Sequence, residues 1–96
     1  MSTIASTIAS QIGNRAFAMM GAKNLVAGDK SLTFKVGTNA KKVTHIVVEL
    51  EPSDTYTVRF VRVSRGGAVV SNVSQDVYAD SLHTVIQNHT GLYLSL

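Results

Sequence analysis

The feature that most constrains the fold is a pair of β-rich runs on either side of the chain's only proline. The runs read VTHIVVEL and YTVRFVRV, and the loop between them, residues 51–55, contains Pro52. Alternating strand-forming residues bounded by a proline-containing turn are typical of a β-hairpin. Because the proline falls in the loop, it removes no hydrogen bond from the ladder between the strands. Residues 43–63 are therefore predicted to form the central hairpin.

The alternation of side chains also predicts the register of this hairpin. Successive strand residues point to opposite faces of a sheet, and residues directly opposite each other on paired strands share a face. One register pairs apolar residues on the inner face: Ile46 with Phe60, Val48 with Val58 and Leu50 with Tyr56. The same register places three pairs on the outer face: His45 with Val61, Val47 with Arg59 and Glu49 with Thr57.

One further strand is predicted on each side of the hairpin. Residues 31–36 alternate apolar and polar side chains, and residues 68–73 follow a turn at 64–67 whose two glycines tolerate positive φ. In the second of these strands the expected inward residues are Val69, Ser71 and Val73, and the outward ones are Val70 and Asn72. Residues 21–30 are interpreted as a connection, in which residues 24–26 could form a short extended piece.

Two segments carry the periodicity of amphipathic helices. In residues 2–20 the predicted inner positions are Ile4, Ile8, Ile12, Ala16 and Met19, and Gly21 is a suitable end. In residues 75–89 they are Tyr78, Leu82, Val85, Ile86 and His89, with Ser74 or Asp76 as the N-cap and Gly91 as the end. The alternating tail, residues 92–96, is expected to dock as an edge strand or to fold across the core.

These elements predict an α+β fold in two layers. Consecutive strands with short links usually pair with their neighbours, so the four strands are expected to form an antiparallel meander. The N-terminal and C-terminal helices each have one apolar stripe and one sheet face is apolar, so both helices are predicted to pack on that face. Ninety-six residues suit a single domain spanning 1–96.

Composition restricts the cellular compartments, the reactive sites and the partners that this chain is expected to have. The chain has no cysteine, which excludes disulfides, thiolate metal sites and cysteine nucleophiles. No apolar run is long enough to cross a bilayer and the N-terminus lacks a signal-peptide pattern, so a cytoplasmic protein without membrane contact is expected. A net charge of +3 permits nucleic acid or an acidic protein as a partner and requires neither.

The sequence predicts no catalytic, cofactor-binding or metal site. The common nucleophile, phosphate-loop and dinucleotide motifs do not occur. His83 and His89 are six residues apart on a predicted helix, so they face different ways and cannot share a metal ion. Asp80, Ser81 and His83 point apart on the same helix and make no catalytic triad. We therefore expect a protein that is not an enzyme.

Nucleic-acid binding is a weaker alternative. The string YTVRFVRV superficially resembles a strand of RNA-recognition modules, which stack bases on aromatic side chains of an open sheet face. Here the aromatic residues of the predicted strands fall on the helix-covered face: Phe34, Tyr56 and Phe60. Four basic residues near the sheet ends could contact phosphates, although solvated loop charge is the favoured interpretation: Lys41, Lys42, Arg62 and Arg65.

The outer face of the sheet is the strongest candidate for a binding surface. No helix is predicted to cover it, and Val47, Val61 and Val70 form an apolar stripe across three neighbouring strands. Single exposed valines are common, whereas a contiguous apolar stripe is typical of an interface with a protein partner or within a homodimer. The candidate partner-binding residues are Lys35, His45, Val47, Arg59, Val61 and Val70.

Three stretches give the chain a family resemblance. Residues 21–26 read GAKNLV, residues 76–82 read DVYADSL, and the chain closes with TGLYLSL. From about residue 11 onward, the sequence resembles a group of small uncharacterised proteins encoded by tailed bacteriophages and related mobile elements. That resemblance implies a phage setting and the cytoplasm of a host cell, and it carries over no functional residue.

The sequence therefore predicts a small non-catalytic phage accessory protein that binds a host protein or protein complex. Small phage proteins without catalytic motifs often bind host machinery. The sharpest form of the hypothesis is thus an inhibitor of a host defence complex, similar to anti-CRISPR proteins. The alternatives are a nucleic-acid-binding regulator and a minor structural protein of the virion.

Overall fold

The computed structural model describes residues 3–37 and 42–90, and it confirms the predicted α+β class. The helices are α1 (Thr3–Ile12), α2 (Asn14–Met20) and α3 (Leu82–Thr90), the last preceded by a 3-10 turn at Ala79–Ser81. The strands are β1 (Lys23–Ala27), β2 (Ser31–Lys35), β3 (His45–Leu50), β4 (Tyr56–Ser64) and β5 (Gly67–Val77). The predicted helix end at Gly91 and the tail at 92–96 lie outside the described residues. Within the described ranges, no helix has both the length and the apolar character needed to cross a membrane.

The strands form one antiparallel sheet in the order β1-β2-β3-β4-β5. The predicted register of the β3–β4 hairpin is confirmed in all six pairs, from His45 opposite Val61 to Leu50 opposite Tyr56. The predicted loop is also present, and the Glu51 N–H donates to the Thr55 carbonyl at 2.8 Å. Alternation was sufficient to fix this register because a one-residue slip would turn every apolar side chain towards water.

The helices and the sheet share one core. α1 and α3 contact each other, and α1 lies against β2 while α3 lies against β5, so the two helices occupy the same face. The inner-face residues of the three central strands are fully or almost fully buried: Leu32, Phe34, Ile46, Val48, Tyr56, Val58 and Phe60. The helices contribute Ile8, Ile12, Met20, Leu82 and Ile86. The rings of Phe17 and Phe34 meet edge to face with their centroids 5.3 Å apart, a favourable aromatic geometry.

The sheet has five strands and not the predicted four, because residues 23–27 form β1. β1 pairs antiparallel with β2, with Lys23 opposite Lys35 and Val26 opposite Thr33, and the register shifts between these two pairs. All five residues of β1 are exposed. An exposed strand has no inward apolar row to reveal it, which is why this segment was predicted as a connection.

The N-terminal segment forms two helices, and the predicted single helix over residues 2–20 is wrong. Gly13 separates α1 from α2, and its backbone has φ 89° and ψ 148°, a conformation close to the region that only glycine adopts readily. Because of this break, Met20 is the fully buried methionine of α2 in place of the predicted Met19. The predicted end at Gly21 is confirmed, with φ 65° in the left-handed region.

The C-terminal helix begins later than predicted. β5 continues to Val77, so Ser74 and Asp76 lie in a strand and do not cap a helix. The strand continues because Val77 pairs with Tyr56 and is itself buried, which extends the core by one apolar contact. Tyr78, predicted to face inward, is 65% exposed because it precedes α3.

The pairing of β4 with β5 contains a β-bulge at Ser71. Phe60 lies opposite Asn72, whereas the next residue of β4, Val61, lies opposite Val70, so Ser71 has no partner of its own. Asn72 therefore shares the inner face with Phe60, opposite to its predicted direction. Val70 faces outward as predicted.

Candidate protein-binding face and basic cleft

The six predicted partner-binding residues lie on the outer face of the sheet, on the side away from the helices. One row crosses four strands through successive pairs: Lys35, His45, Val61 and Val70. Val47 and Arg59 form part of the neighbouring row through their own pair. Lys35 and Val70 are exposed and the other four residues are partly exposed. The structure thus brings all six onto one surface.

The apolar part of this surface is larger than predicted. Val73, which was expected to point inward, lies opposite Arg59 on the outer face because the bulge at Ser71 shifts the alternation by one residue. Val63 follows Val61 on the same face of β4. Together these residues form what we call the valine face: Val47, Val61, Val63, Val70 and Val73. Its most exposed members are Val63, Val70 and Val73, which are 45%, 51% and 44% exposed.

An ion pair borders the valine face. Arg59 Nη1 lies 2.9 Å from Glu49 Oε1, and the two side chains are 38% and 40% exposed. An exposed pair of this kind contributes only about 0.2–1 kcal/mol. Its main consequence is to hold the guanidinium beside Glu49, since a diagonal pair of side chains on adjacent strands has little freedom. Arg59 lies between Val47 and Val73 in its cross-strand row, and the pair turns its guanidinium towards Glu49.

The sheet is polarised in charge along the direction of its strands. The registers place five basic residues near one set of strand ends: Lys23, Lys35, Lys42, Arg62 and Arg65. The opposite ends carry five acidic residues: Asp29, Glu49, Glu51, Asp54 and Asp76. Lys30 is an exception at this acidic end, where its carbonyl accepts from the Leu50 N–H at 2.8 Å. Lys42, Arg62 and Arg65 were predicted near the sheet ends, and the structure adds Lys23 and Lys35 to the same end.

A cleft opens at the basic end of the sheet. It has a volume of about 390 Å³ and is lined by Lys35, Val36, Gly37, Lys42, Val43, Thr44, Arg62, Val63 and Ser64. Val63 belongs both to the cleft and to the valine face, so the two surfaces are continuous. We call this feature the basic cleft.

Thr44 fixes the wall of the basic cleft. Its backbone N–H donates to the Val61 carbonyl at 2.9 Å, and its Oγ1 donates to the same carbonyl at 3.1 Å. The same Oγ1 accepts from the Val63 N–H at 2.8 Å. The threonine side chain thus takes the place of a backbone acceptor where regular pairing of β3 with β4 ends, and it ties the segment before β3 to the projecting part of β4.

The three histidines bind separate parts of the fold. His45 Nδ1 lies 2.9 Å from Thr44 Oγ1, and His83 Nε2 donates to the Ile12 carbonyl, 2.6 Å away at the end of α1. His89 stacks on Phe60, with ring centroids 4.8 Å apart. In residues 3–37 and 42–90, no group of three His, Cys, Asp or Glu side chains could hold a metal ion.

Asn72, Ser74 and His89 form a polar cluster that the sequence analysis missed. Asn72 Nδ2 donates to His89 Nδ1 at 2.8 Å, and His89 Nε2 lies 3.1 Å from Ser74 Oγ. Because Nδ1 accepts, Nε2 of the neutral imidazole carries the proton and donates to Ser74. A histidine in this tautomer cannot take a proton from the serine, as a nucleophile–base pair requires. The cluster therefore acts as a link between α3 and β5.

The aromatic residues of the sheet are unsuited to base stacking. Phe34 and Phe60 are 0% exposed and Tyr56 is 4% exposed, all on the helix-covered face as predicted. On the outer face, the described residues of β2, β3 and β4 offer His45 as the one ring system. A platform of the RNA-recognition type needs aromatic rings on the open face, so this surface does not have that design.

Comparison with known proteins adds no family. No protein-family model, curated protein or solved structure matches this chain. The resemblance to small phage proteins therefore stays a prediction, and function has to be inferred from the surfaces themselves.

Tyr56 gives a pH-dependent prediction about the core. Its hydroxyl donates to Gln11 Oε1 at 2.6 Å, and burial raises the pKa of Tyr56 above the ordinary 10.0, with the charge of Asp54 acting in the same direction. The unfolded chain therefore ionises this tyrosine first, and the free energy of unfolding should fall as the pH rises above 10. Tyr56→Phe should lose this part of the alkaline destabilisation. Urea unfolding between pH 8 and 11 measures how the free energy of unfolding depends on pH. Tyr78→Phe, which changes an exposed tyrosine, is the matched control. An unchanged slope in Tyr56→Phe would contradict the prediction.

Proposed function

We propose that this protein is a non-catalytic binding protein that captures another protein through the valine face. The observation that carries the proposal is a contiguous apolar surface on the side of the sheet that the described helices leave uncovered. Three of its five valines are more than 40% exposed. Large contiguous apolar patches are rare on the surfaces of small monomeric proteins, and those that occur commonly mark interaction sites.

The surroundings of the valine face support a protein as the occupant. Protein interfaces commonly have an apolar centre and a polar, solvent-accessible rim. Here Glu49 and Lys35 supply charged side chains at the edges of the valine face, and Arg59 adds a charged group between Val47 and Val73. The outer surface of a sheet suits a broad contact with another folded surface.

The sharpest form of the proposal is an accessory protein of a phage that inhibits a host defence complex in the host cytoplasm. Support for this form comes only from the sequence resemblance and from the binding surface, which could serve any protein partner. The proposal stands without it, because the physical argument for capture rests on exposed apolar area.

The test compares two neighbouring valines of β5. Val70→Asp places a charge on the valine face, whereas Val69→Asp places the same charge on the other face of the same strand, where Val69 lies opposite Arg62 and is 62% exposed. The tagged protein and both variants are used for affinity purification from host cells, with quantitative identification of the captured proteins. Capture should fall at least about tenfold for Val70→Asp, since a desolvated charge costs more than 1.4 kcal/mol, and should persist for Val69→Asp.

Each other outcome has a defined meaning. Circular dichroism must show native spectra for both variants. If both variants or neither lose the captured protein, the valine face is not the binding surface. If sedimentation shows a dimer that only Val70→Asp dissociates, the occupant is a second copy of the chain and the heterologous-partner proposal is wrong.

A further inference from the structure

The basic cleft combines three cations from three separate segments. Lys35 ends β2, Lys42 precedes β3, and Arg62 lies in the part of β4 beyond its pairing with β3. No acidic residue is among the described residues that line the cleft. Its volume of about 390 Å³ lies within the range of sites that hold a small ligand or a few side chains.

The concentration of positive charge at this end opposes folding. Lys23 lies directly opposite Lys35 across the β1–β2 pair, and like charges in that position repel. The acidic residues Glu51 and Asp54 lie in the loop at the far end of the same sheet, so they cannot neutralise these lysines at close range. A bound anion would relieve the repulsion.

The backbone of the cleft favours a carboxylate over a phosphate. Phosphate sites commonly use several free backbone N–H groups at a helix start or in a nest. Here the N–H groups of four lining residues already donate within the fold: Val36 to the Thr44 carbonyl, Gly37 to the Met20 carbonyl, Thr44 to the Val61 carbonyl and Val63 to Thr44 Oγ1. The charged groups that line the cleft are the side chains of Lys35, Lys42 and Arg62, with apolar wall residues beside them.

We propose that the basic cleft binds an acidic segment of a partner protein. Its carboxylates meet Lys35, Lys42 and Arg62, and an adjacent aliphatic side chain packs on Val63, which is 45% exposed. This inference rests on the proposed function, because Val63 joins the cleft to the valine face. It adds the chemistry of the partner: an apolar contact surface flanked on one side by Asp or Glu residues. Charge complementarity of this kind contributes mainly to the association rate and to specificity.

The test uses a defined probe and not the unidentified partner. The peptide acetyl-ELELE-amide is titrated into the ¹⁵N-labelled protein at low salt, and backbone amide shifts are followed by NMR. The shifts should concentrate at Val36, at 42–44 and at 62–64, and they should shrink as salt is added, since the attraction is between exposed charges. The peptide acetyl-QLQLQ-amide is the neutral control and should leave these amides unmoved.

Substitutions distinguish peptide binding in the basic cleft from attraction to positive charge elsewhere on the protein. The double variant Lys42→Gln and Arg62→Gln should weaken peptide binding about five- to tenfold, since it removes two exposed charge contacts. Lys30→Gln removes one positive charge at the acidic end, as Lys42→Gln does in the cleft, and should leave binding unchanged. If the double variant does not fold, Lys42→Gln alone provides the measurement.

The possible failures are distinguishable. If the acidic peptide does not shift the cleft amides, or if Lys30→Gln weakens peptide binding as much as Lys42→Gln does, the inference is overturned. The valine face is still tested separately by the Val69 and Val70 variants. If ten-residue oligothymidylate or inorganic phosphate moves the same amides at lower concentration than the peptide, the cleft serves phosphates and the inference is wrong. If Val70→Asp abolishes partner capture and retains peptide binding, both proposals stand.

Discussion

Phe34→Ala should lower the free energy of unfolding by about 3–5 kcal/mol, the usual range for removing a fully buried phenylalanine. Phe34 is 0% exposed, and its ring contacts Phe17 edge to face, so the change leaves a cavity between β2 and α2 and removes an aromatic pair. A domain of this size has a total stability of roughly 5–15 kcal/mol, so the variant should approach partial unfolding.

The control for this prediction is an exposed aromatic residue. Tyr78 is 65% exposed, and Tyr78→Ala should change the free energy of unfolding by less than about 0.5 kcal/mol. Urea unfolding followed by circular dichroism compares both variants with the unaltered protein. A loss below about 1 kcal/mol for Phe34→Ala would mean that this ring faces water, as it would on the open face of an RNA-recognition module.

Gly13→Ala should cost about 1–3 kcal/mol, because the break between α1 and α2 holds Gly13 at φ 89° and ψ 148°. A Cβ added there would have no atom within 4 Å, so the effect reports backbone strain and not a steric clash. The buried positions of α2 depend on this break, since a continuous helix would turn Met20 away from the core.

Gly66 offers the matched control for Gly13. A Cβ at Gly66 also meets no atom within 4 Å, and the residue has no positive φ. Gly66→Ala should therefore lie within about 0.5 kcal/mol of the unaltered protein in the same urea experiment. Equal stabilities for the two variants, or an increase for Gly13→Ala, would show that α1 and α2 fuse into one helix at little cost.

The central part of the fold was predictable because burial and register depend on each other there. All six β3–β4 pairs follow from placing apolar residues opposite apolar residues. The burial of Phe34, Tyr56 and Phe60 followed from the same alternation. Where one face of a sheet must be buried, the apolar residues of two short strands allow few registers.

The peripheral elements were less predictable because their structure does not depend on an alternating apolar pattern. β1 is exposed along its whole length, so it has no apolar pattern to detect. The break at Gly13 needs a backbone conformation that a helical repeat conceals. The segment up to Val77 was predicted as helix, but β5 continues through it. The strand continues because Val77 is buried beside Tyr56, a contact that depends on tertiary structure.

The candidate site was predictable in its location and less so in its content. The outer face and its six residues follow from strand alternation. Val73 was assigned to the wrong face because no local signal marks a bulge at Ser71. Lys42 and Arg62 were predicted near the sheet ends and Lys35 on the outer face, but the cleft in which the three meet was not predicted, because it depends on tertiary structure.

The bulge at Ser71 divides β5 into two halves with different freedom to change. In the inner half, Asn72 and Ser74 bond to His89 of α3 and Val77 belongs to the core, so substitutions of these three residues alter folding. From Gly67 to Val70 every residue of the strand is exposed. New side chains at Ala68 and Val70, which lie opposite Val63 and Val61 of the valine face, would therefore alter recognition with little effect on stability. This side of the hairpin tip is the part of the molecule best suited to follow a changing partner.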